Sequence, residues 1–319
     1  MSDKPNTQFV SLAGGLGNQL FQLALGLNLN PKNTLTLEWS LGKPRLAPDG
    51  NPEILQFTMP DQVFLNDRRR VSWLEQRLGN LLLRISSSIN SGKISYLFWL
   101  CIEFIAKTML AKLFWKSAKI YVPHGTGFDS NLTRRQENIL AIGYFQSYKW
   151  FNSEETLRQL SNLKLKASPD WLTELRKDAK NELPIILHIR LGDYRTEKKF
   201  GIPTVNYYES ATREIWEGGG HKKIWIFSDE TEIAKSILPE WILDNARWIG
   251  NKESSSAQLL EAMRLGSGYV LSNSTFGWWG AYLTYNSNAK VICPYPWFKF
   301  GKEPMDIVPP RWIRKPSWE

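Results

Sequence analysis

The sequence predicts an α/β protein of two halves, each built on a parallel sheet. β-rich runs bounded by turn residues alternate with helical stretches along the chain, the order that builds βαβ units. The 319 residues exceed one small core and suit two domains of about 150 residues each. Each half also opens with an apolar strand that runs into a conspicuous turn.

The strand-like runs fall at residues 9–13, 35–39, 119–123, 139–145, 184–190, 223–228, 247–250, 268–272 and 289–294. Residues 153–182 read as helical and charged with a break at Ser168-Pro169, and Pro184 opens a new apolar strand. The boundary is therefore expected within 165–180, giving an N-terminal α/β domain over 1–170 and a C-terminal one over 171–319. No internal repeat or low-complexity block competes with this division.

With 42% hydrophobic and 22% charged residues, the chain has the composition of a globular protein and not of a disordered one. Its two cysteines, Cys101 and Cys293, lie far apart and outside any CxxC or Cys/His cluster. That argues against a disulfide framework and against zinc, and fits a reducing, cytoplasmic compartment. The polar opening, residues 1–6, leads straight into a strand and leaves no room for a signal peptide. Residues 94–114 are apolar, but Glu103, Lys107 and Lys112 interrupt them short of the ~20 residues of a membrane span. A buried or lid helix is the reading adopted, with peripheral contact to the inner membrane face as the second. The net charge of +9 suits an anionic ligand or, more plainly, a solvated basic surface. Fifteen tryptophans serve either as sugar platforms or as core.

The first turn, Gly14-Gly15-Leu16-Gly17-Asn18-Gln19, leaves an apolar strand and enters an apolar helix. Backbone amides and a helix dipole there can hold an anion or a sugar. A dinucleotide site is the rival, supported by Gly15, Gly17 and the acidic Glu38 after the next strand. Leu20 at the third fingerprint position and the amide side chains of Asn18 and Gln19 speak against it.

In the second turn, His188 and Arg190 share one strand face because strand side chains alternate. They leave the sheet near its C-terminal end, where open α/β sheets bind ligands. The planar fork of Arg190 can grip a diphosphate, with Asp193 orienting it. The plainer alternatives are a strand-end ion pair and a core histidine. Farther on, Asn273, Ser274 and Thr275 precede a helix that starts near Phe276, offering hydroxyls and amides to a phosphate or simply capping the helix. Asp229 and Glu230 end a buried strand, where they can bond a nucleoside or cap a helix.

Five segments, in order, resemble the α-1,2-fucosyltransferases of glycosyltransferase family 11. They are Gly14-Gly-Leu-Gly-Asn-Gln-Leu-Phe-Gln22, Gly143-Tyr-Phe-Gln-Ser147, His188-Ile-Arg-Leu-Gly-Asp-Tyr194, Phe227-Ser-Asp-Glu230 and Ser272-Asn-Ser-Thr-Phe-Gly-Trp-Trp279. The resemblance implies a GT-B type fold and metal-independent, inverting transfer of L-fucose from GDP-β-L-fucose to the 2-hydroxyl of a terminal β-galactose. It puts the donor in the C-terminal half, with Arg190 on the diphosphate, His188, Asp229 and Glu230 near the nucleoside, and Ser274 and Thr275 on the phosphate; Asn273 and Phe276 beside them are expected to bind the donor too. Gly15, Asn18 and Gln19 fall near fucose and phosphate, and Tyr144 and Gln146 on the acceptor side, where Glu38 is expected as well. Arg190, Asp193 and Asn18 are the candidates for the chemistry itself, with Asp193 and Glu38 as candidate bases. Two departures stand out: Leu191 replaces a second arginine, and Glu230 replaces an aspartate.

No DxD motif occurs, and His124, His188 and His221 are scattered, so no cofactor or metal is expected. Arg190, hydroxyls and helix dipoles must then neutralise the leaving group. The other classes considered are a NAD-dependent oxidoreductase and a non-catalytic glycan- or nucleic-acid-binding protein. Interleaved basic and aromatic motifs of nucleic-acid modules are missing, so no nucleic-acid partner is expected.

Overall fold

The computed structural model describes residues 7–29, 34–66, 71–88, 96–116, 118–125, 127–133, 138–151, 153–197, 200–251, 253–301, 304 and 306–318. The polar opening at 1–6 and the start of the apolar stretch at 94 lie outside them. The chain divides into two compact units, Met1–Lys164 with Pro304–Val308, and Leu165–Glu303 with Pro309–Glu319.

In the first unit β1 (Gln8–Gly14) leads into α1 (Leu16–Leu29), followed by β2 (Leu35–Pro44), β3 (Phe57–Thr58) and β4 (Val63–Asn66). Then come α2 (Trp73–Ser88), α3 (Tyr96–Leu113), β5 (Lys119–Tyr121), α4 (Ser130–Thr133), β6 (Ile139–Ile142) and α5 (Glu154–Ser161), with β7 (Lys164–Leu165) at the division. Five strands form a wholly parallel sheet in the order β4-β2-β1-β6-β5. β6 is Ile-Leu-Ala-Ile and buried throughout, as a strand covered on both faces must be. Gln22 of the buried α1 ties strand ends together: it accepts from Ala13 N and donates to Gly143 O, both at 2.9 Å.

The second unit runs α6 (Asp170–Glu182), β8 (Ile185–Ile189), α7 (Val205–Trp216), β9 (Ile224–Ser228), α8 (Thr231–Ile237) and α9 (Glu240–Asp244). It continues β10 (Ala246–Trp248), α10 (Ser256–Met263), β11 (Gly268–Val270), α11 (Thr275–Tyr282), β12 (Lys290–Tyr295) and β13 (Ile313–Pro316). Its six strands are parallel in the order β10-β9-β8-β11-β12-β13. From β8 the chain winds outward through β9 and β10, then returns to the other side at β11. The switch point lies between β8 and β11, where sheets of this kind open a crevice at the strands' C-terminal ends. In the first unit the order reverses between β1 and β6.

All nine strand-like runs of the sequence are strands. Four strands lie outside those runs: β4 and β13, at the edges of the two large sheets, and β3 and β7, which pair with each other in a two-stranded sheet. Trp150, Trp225, Trp278, Trp279 and Trp297 are wholly buried, so of the two uses open to the tryptophans these five serve as core. Within the apolar stretch, α3 is half-buried and not enclosed: it leaves Phe104 71% and Ile105 56% exposed, because only the opposite side packs on the first unit's core through residues such as Ala106 and Leu110.

The returning segment Pro304–Val308 is fastened by Asp306. Its carboxylate accepts from Phe128 N at 3.0 Å and Ser147 Oγ at 2.7 Å, and its carbonyl accepts from Tyr148 N at 3.1 Å.

Candidate functional site

The C-terminal ends of β8, β9 and β11 gather most of the polar residues singled out in the second unit. Arg190 stands one residue beyond β8. Its Nε and Nη2 donate to Asp193 Oδ1 at 3.0 and 2.7 Å, and its Nη1 meets Asp229 Oδ2 at 3.0 Å. Three of the five guanidinium donors are thus engaged and two remain. The other oxygen of Asp229, Oδ1, accepts from Leu191 N at 2.9 Å. Gly192 makes this approach feasible, since a Cβ there would come within 2.5 Å of Asp229 Oδ2. Asp229 is therefore turned back onto the β8 turn, where one oxygen meets Arg190 and the other a backbone amide. Glu230 stands at the start of α8 without a side-chain cap bond and pairs with Arg195 at 3.1 Å.

Tyr194 links Arg190 to the start of α11. The guanidinium carbon lies 5.8 Å from the ring centroid, and the hydroxyl donates to Asn273 O at 3.3 Å. Burial raises the Tyr194 phenol well above its ordinary value, so it stays a neutral donor. Phe200 stacks on Tyr194 at 4.9 Å, and its carbonyl accepts from Asn273 Nδ2 at 2.7 Å. Ser274 is the N-cap of α11 and accepts from Phe276 N at 3.3 Å, while Thr275 is the first helical residue. Ser274 thus caps the helix while also lying beside Tyr194.

His188 sits beneath this helix start. It is 5% exposed, shares a 2.8 Å hydrogen bond between Nδ1 and Ser272 Oγ, and its ring centroid is 6.0 Å from that of Phe276. Gly277 lets α11 come this close, because a Cβ would meet His188 Nδ1 at 2.6 Å. Burial, reinforced by the Arg190 charge, pushes His188 down to about 3. An unfolded histidine titrates near 6.5, so between about pH 6.5 and about 3 the unfolded chain binds a proton that the folded one refuses. Stability therefore falls as pH falls through that window. The melting temperature is expected to drop between pH 7.5 and pH 5, and to drop less in a His188→Asn variant. Parallel curves would remove His188 as the source.

In the first unit, Asn18 and Gln146 come together: Gln146 Nε2 donates to Asn18 Oδ1 at 2.9 Å. Tyr144 follows β6 on the same turn and is half-buried. Three expectations fail here. Gln19 is fully buried; its Nε2 donates to Gly14 O and Arg45 O at 2.9 and 3.0 Å, and its Oε1 accepts from Ile54 N at 2.9 Å. Nothing but backbone uses that amide, so it is no donor-binding group. Glu38 is buried and bonded to Ser40, through its hydroxyl and its amide, and to Asn66 Nδ2, which withdraws it as acceptor contact and as base. The Gly14–Gly17 loop is not an open anion site either: Glu53 Oε2 accepts from Leu16 N at 2.7 Å. A carboxylate of the chain already lies at the helix N-terminus, where a dinucleotide pyrophosphate would have to sit. Gly15 is overlain instead by Arg45, whose Nη1 would be 3.6 Å from a Cβ at that position.

Among the described residues, no three His, Cys, Asp or Glu side chains converge as metal ligands would. Cys101 is exposed and Cys293 buried, and neither is in a disulfide.

The model of glycosyl transferase family 11 matches residues 131–315, more than half of the chain. The chain belongs to glycosyl transferase family 11. Two curated relatives from Escherichia coli support the placement of this family member. An alpha-1,2-colitosyltransferase is 25% identical over 95% of this chain and 97% of its own. The O-antigen biosynthesis glycosyltransferase WbnK is 26% identical over 95% and 98%. Among solved structures, the fucosyltransferase NodZ from Bradyrhizobium aligns with a TM-score of 0.50 at 15% identity, over 88% of this chain and 94% of its own. That likeness shows the fold of the family 11 chain, two parallel-sheet α/β units of the GT-B type.

Proximity in space revealed site residues that the sequence reading passed over. Tyr194 lies inside the His188–Tyr194 segment and Arg195 directly after it, where no local pattern distinguishes them. Glu53 and Arg45 carry no local signal, since they reach the glycine loop from a connection more than twenty residues away.

Proposed function

We propose that the protein is an inverting, metal-independent α-1,2-fucosyltransferase that moves L-fucose from GDP-β-L-fucose to the 2-hydroxyl of a terminal β-galactose. The observation that carries this reading is Arg190 at the switch point of the second sheet, joined through Tyr194 to the start of α11. The donor diphosphate takes the two free donors of Arg190, together with the Ser274–Thr275 end of α11. Helix amides and a planar fork supply charge stabilisation of the kind a departing phosphate needs. Asp193 and Asp229 leave their trio with Arg190 one negative charge in excess. Asp193 is 57% exposed, so it is the carboxylate that yields its place when the diphosphate arrives, while Asp229 keeps the guanidinium oriented.

In the reaction the bond from fucose C1 to the β-phosphate oxygen breaks, and a bond from C1 to the acceptor oxygen forms on the opposite face. The acceptor proton leaves to solvent or to the departing phosphate. Positioning of the hydroxyl, and not a strong base, carries the attack. Asn18, Gln146 and Tyr144 are assigned to sugar recognition on the first unit. A second reading keeps the chemistry and changes the sugar: the relative named for colitose transfer makes colitose the competing donor sugar.

The test is incubation with GDP-fucose or the corresponding colitose donor and a panel of β-galactosides, with and without excess EDTA, read by mass spectrometry and linkage analysis. A 2-linked fucosyl product formed equally with EDTA is expected. Transfer of colitose alone would overturn the donor, a different linkage would overturn the acceptor site, and loss restored by Mg²⁺ or Mn²⁺ would overturn the charge stabilisation.

A further inference from the structure

The outward side of α3 is apolar, and none of the described residues covers it. Phe98, Phe104, Ile105 and Met109 are exposed along it, and Lys112 is the charged side chain among them. A helix apolar on every side is normally enclosed by its own protein or by lipid, and here the described residues enclose only half of it. The acidic residues of the α2–α3 pair are turned inward. Glu103 is buried against Lys107 Nζ and His124 Nε2, both at 2.9 Å, and Glu75 is buried and accepts from Trp115 Nε1 at 2.8 Å. What the pair exposes in charge is therefore positive: Lys112 on α3, and Arg77 and Arg84 on α2. Trp73, 67% exposed, lies under the guanidinium of Arg77 at 4.7 Å. With Lys43 and Arg84 they line a cavity of about 690 Å³.

We propose that the outward side of α3 rests on an anionic membrane surface, with its apolar side chains in the interface and the neighbouring cations on lipid phosphates. No described helix is long and apolar enough to cross a membrane, so the contact is one of lying on the surface. An apolar side on a helix pair whose exposed charges are all cations fits that partner, since buried apolar area and attraction to anionic headgroups add. A second copy of the chain is the poorer match. A two-fold contact repeats each patch against itself, which would set Lys112 and its like-charged neighbours against their own copies. The inference stands apart from the transfer reading, because its test measures partition and not turnover.

The full chain is to be sedimented with phosphatidylcholine vesicles, with and without phosphatidylglycerol. Binding is expected with phosphatidylglycerol and is expected to weaken with added salt. A Phe104→Ser, Ile105→Ser double variant should bind roughly tenfold or more less tightly, as loss of two inserted side chains requires. Lys112→Gln should bind about fivefold less tightly, the share of one cation near such a surface. These positions are exposed, so the melting temperature should hold, as should transfer to a soluble acceptor. Failure of the wild type to bind phosphatidylglycerol vesicles would overturn the proposal, and so would equal binding by the double variant. A dimer seen by light scattering that the double variant abolishes would give the face to a second copy instead.

Discussion

Arg190→Lys is expected to lose transfer nearly as completely as Arg190→Ala. Lysine keeps the charge but not the planar fork, and the fork is what Asp193 and Asp229 hold from two sides. A lysine ammonium cannot keep both carboxylates and still present parallel donors to a diphosphate. Removing one member of a hydrogen-bonded, desolvated charge pair costs roughly 2–5 kcal/mol. At about 1.4 kcal/mol per decade, that is a fall in kcat/KM of roughly 30-fold to several thousand-fold. A solvated ion pair would cost less than about 1 kcal/mol and would hardly register. Transfer to a β-galactoside, GDP affinity by calorimetry and melting temperature separate the cases. Near-normal transfer by either variant would make Arg190 a structural residue and move the donor phosphate elsewhere.

Asp229→Ala is expected to reduce kcat/KM by roughly tenfold to a hundredfold, the equivalent of about 1.5–3 kcal/mol for a hydrogen bond to a charged group. The loss should arise through Arg190. In the Arg190→Ala background, the same substitution should then cost almost nothing more, because the group it orients is gone. Such non-additivity is what a double-mutant cycle measures. Were Asp229 instead to touch the nucleoside, the two losses would add, and discrimination between GDP and other nucleoside diphosphates would relax. Additive losses would restore the nucleoside reading of Asp229.

The strands were legible because those of covered parallel sheets are short, nearly continuous apolar runs, as Ile185 to Ile189 are. β13 was not, since Ile-Arg-Lys-Pro is mostly exposed and joins the sheet at its edge. At the candidate site, what strand alternation and short spacing can carry was readable: His188, Arg190 and Asp193 lie within six residues of one another. The hold of Asp229 on Leu191 N spans 38 residues, and no local pattern announces it. Gln19 and Glu38 misled for one reason. A polar residue beside a motif resembles a ligand contact, whereas both are buried and must satisfy their bonds within the chain.

The clasp made by Asp306 bears on how the protein can be recombined. Five residues near the C-terminus belong to the unit that the N-terminus begins, so no single cut yields two whole units. A chimera that joins this first unit to the second of a relative must bring residues 304–308 from the same parent. Without them, the amide of the half-buried Phe128 and the hydroxyl of the fully buried Ser147 lose their acceptor, at about 1–3 kcal/mol for the hydroxyl stranded away from water. Exchange between family members is thus a two-crossover operation, and inheritance of the first unit is tied to a stretch encoded almost at the other end of the gene.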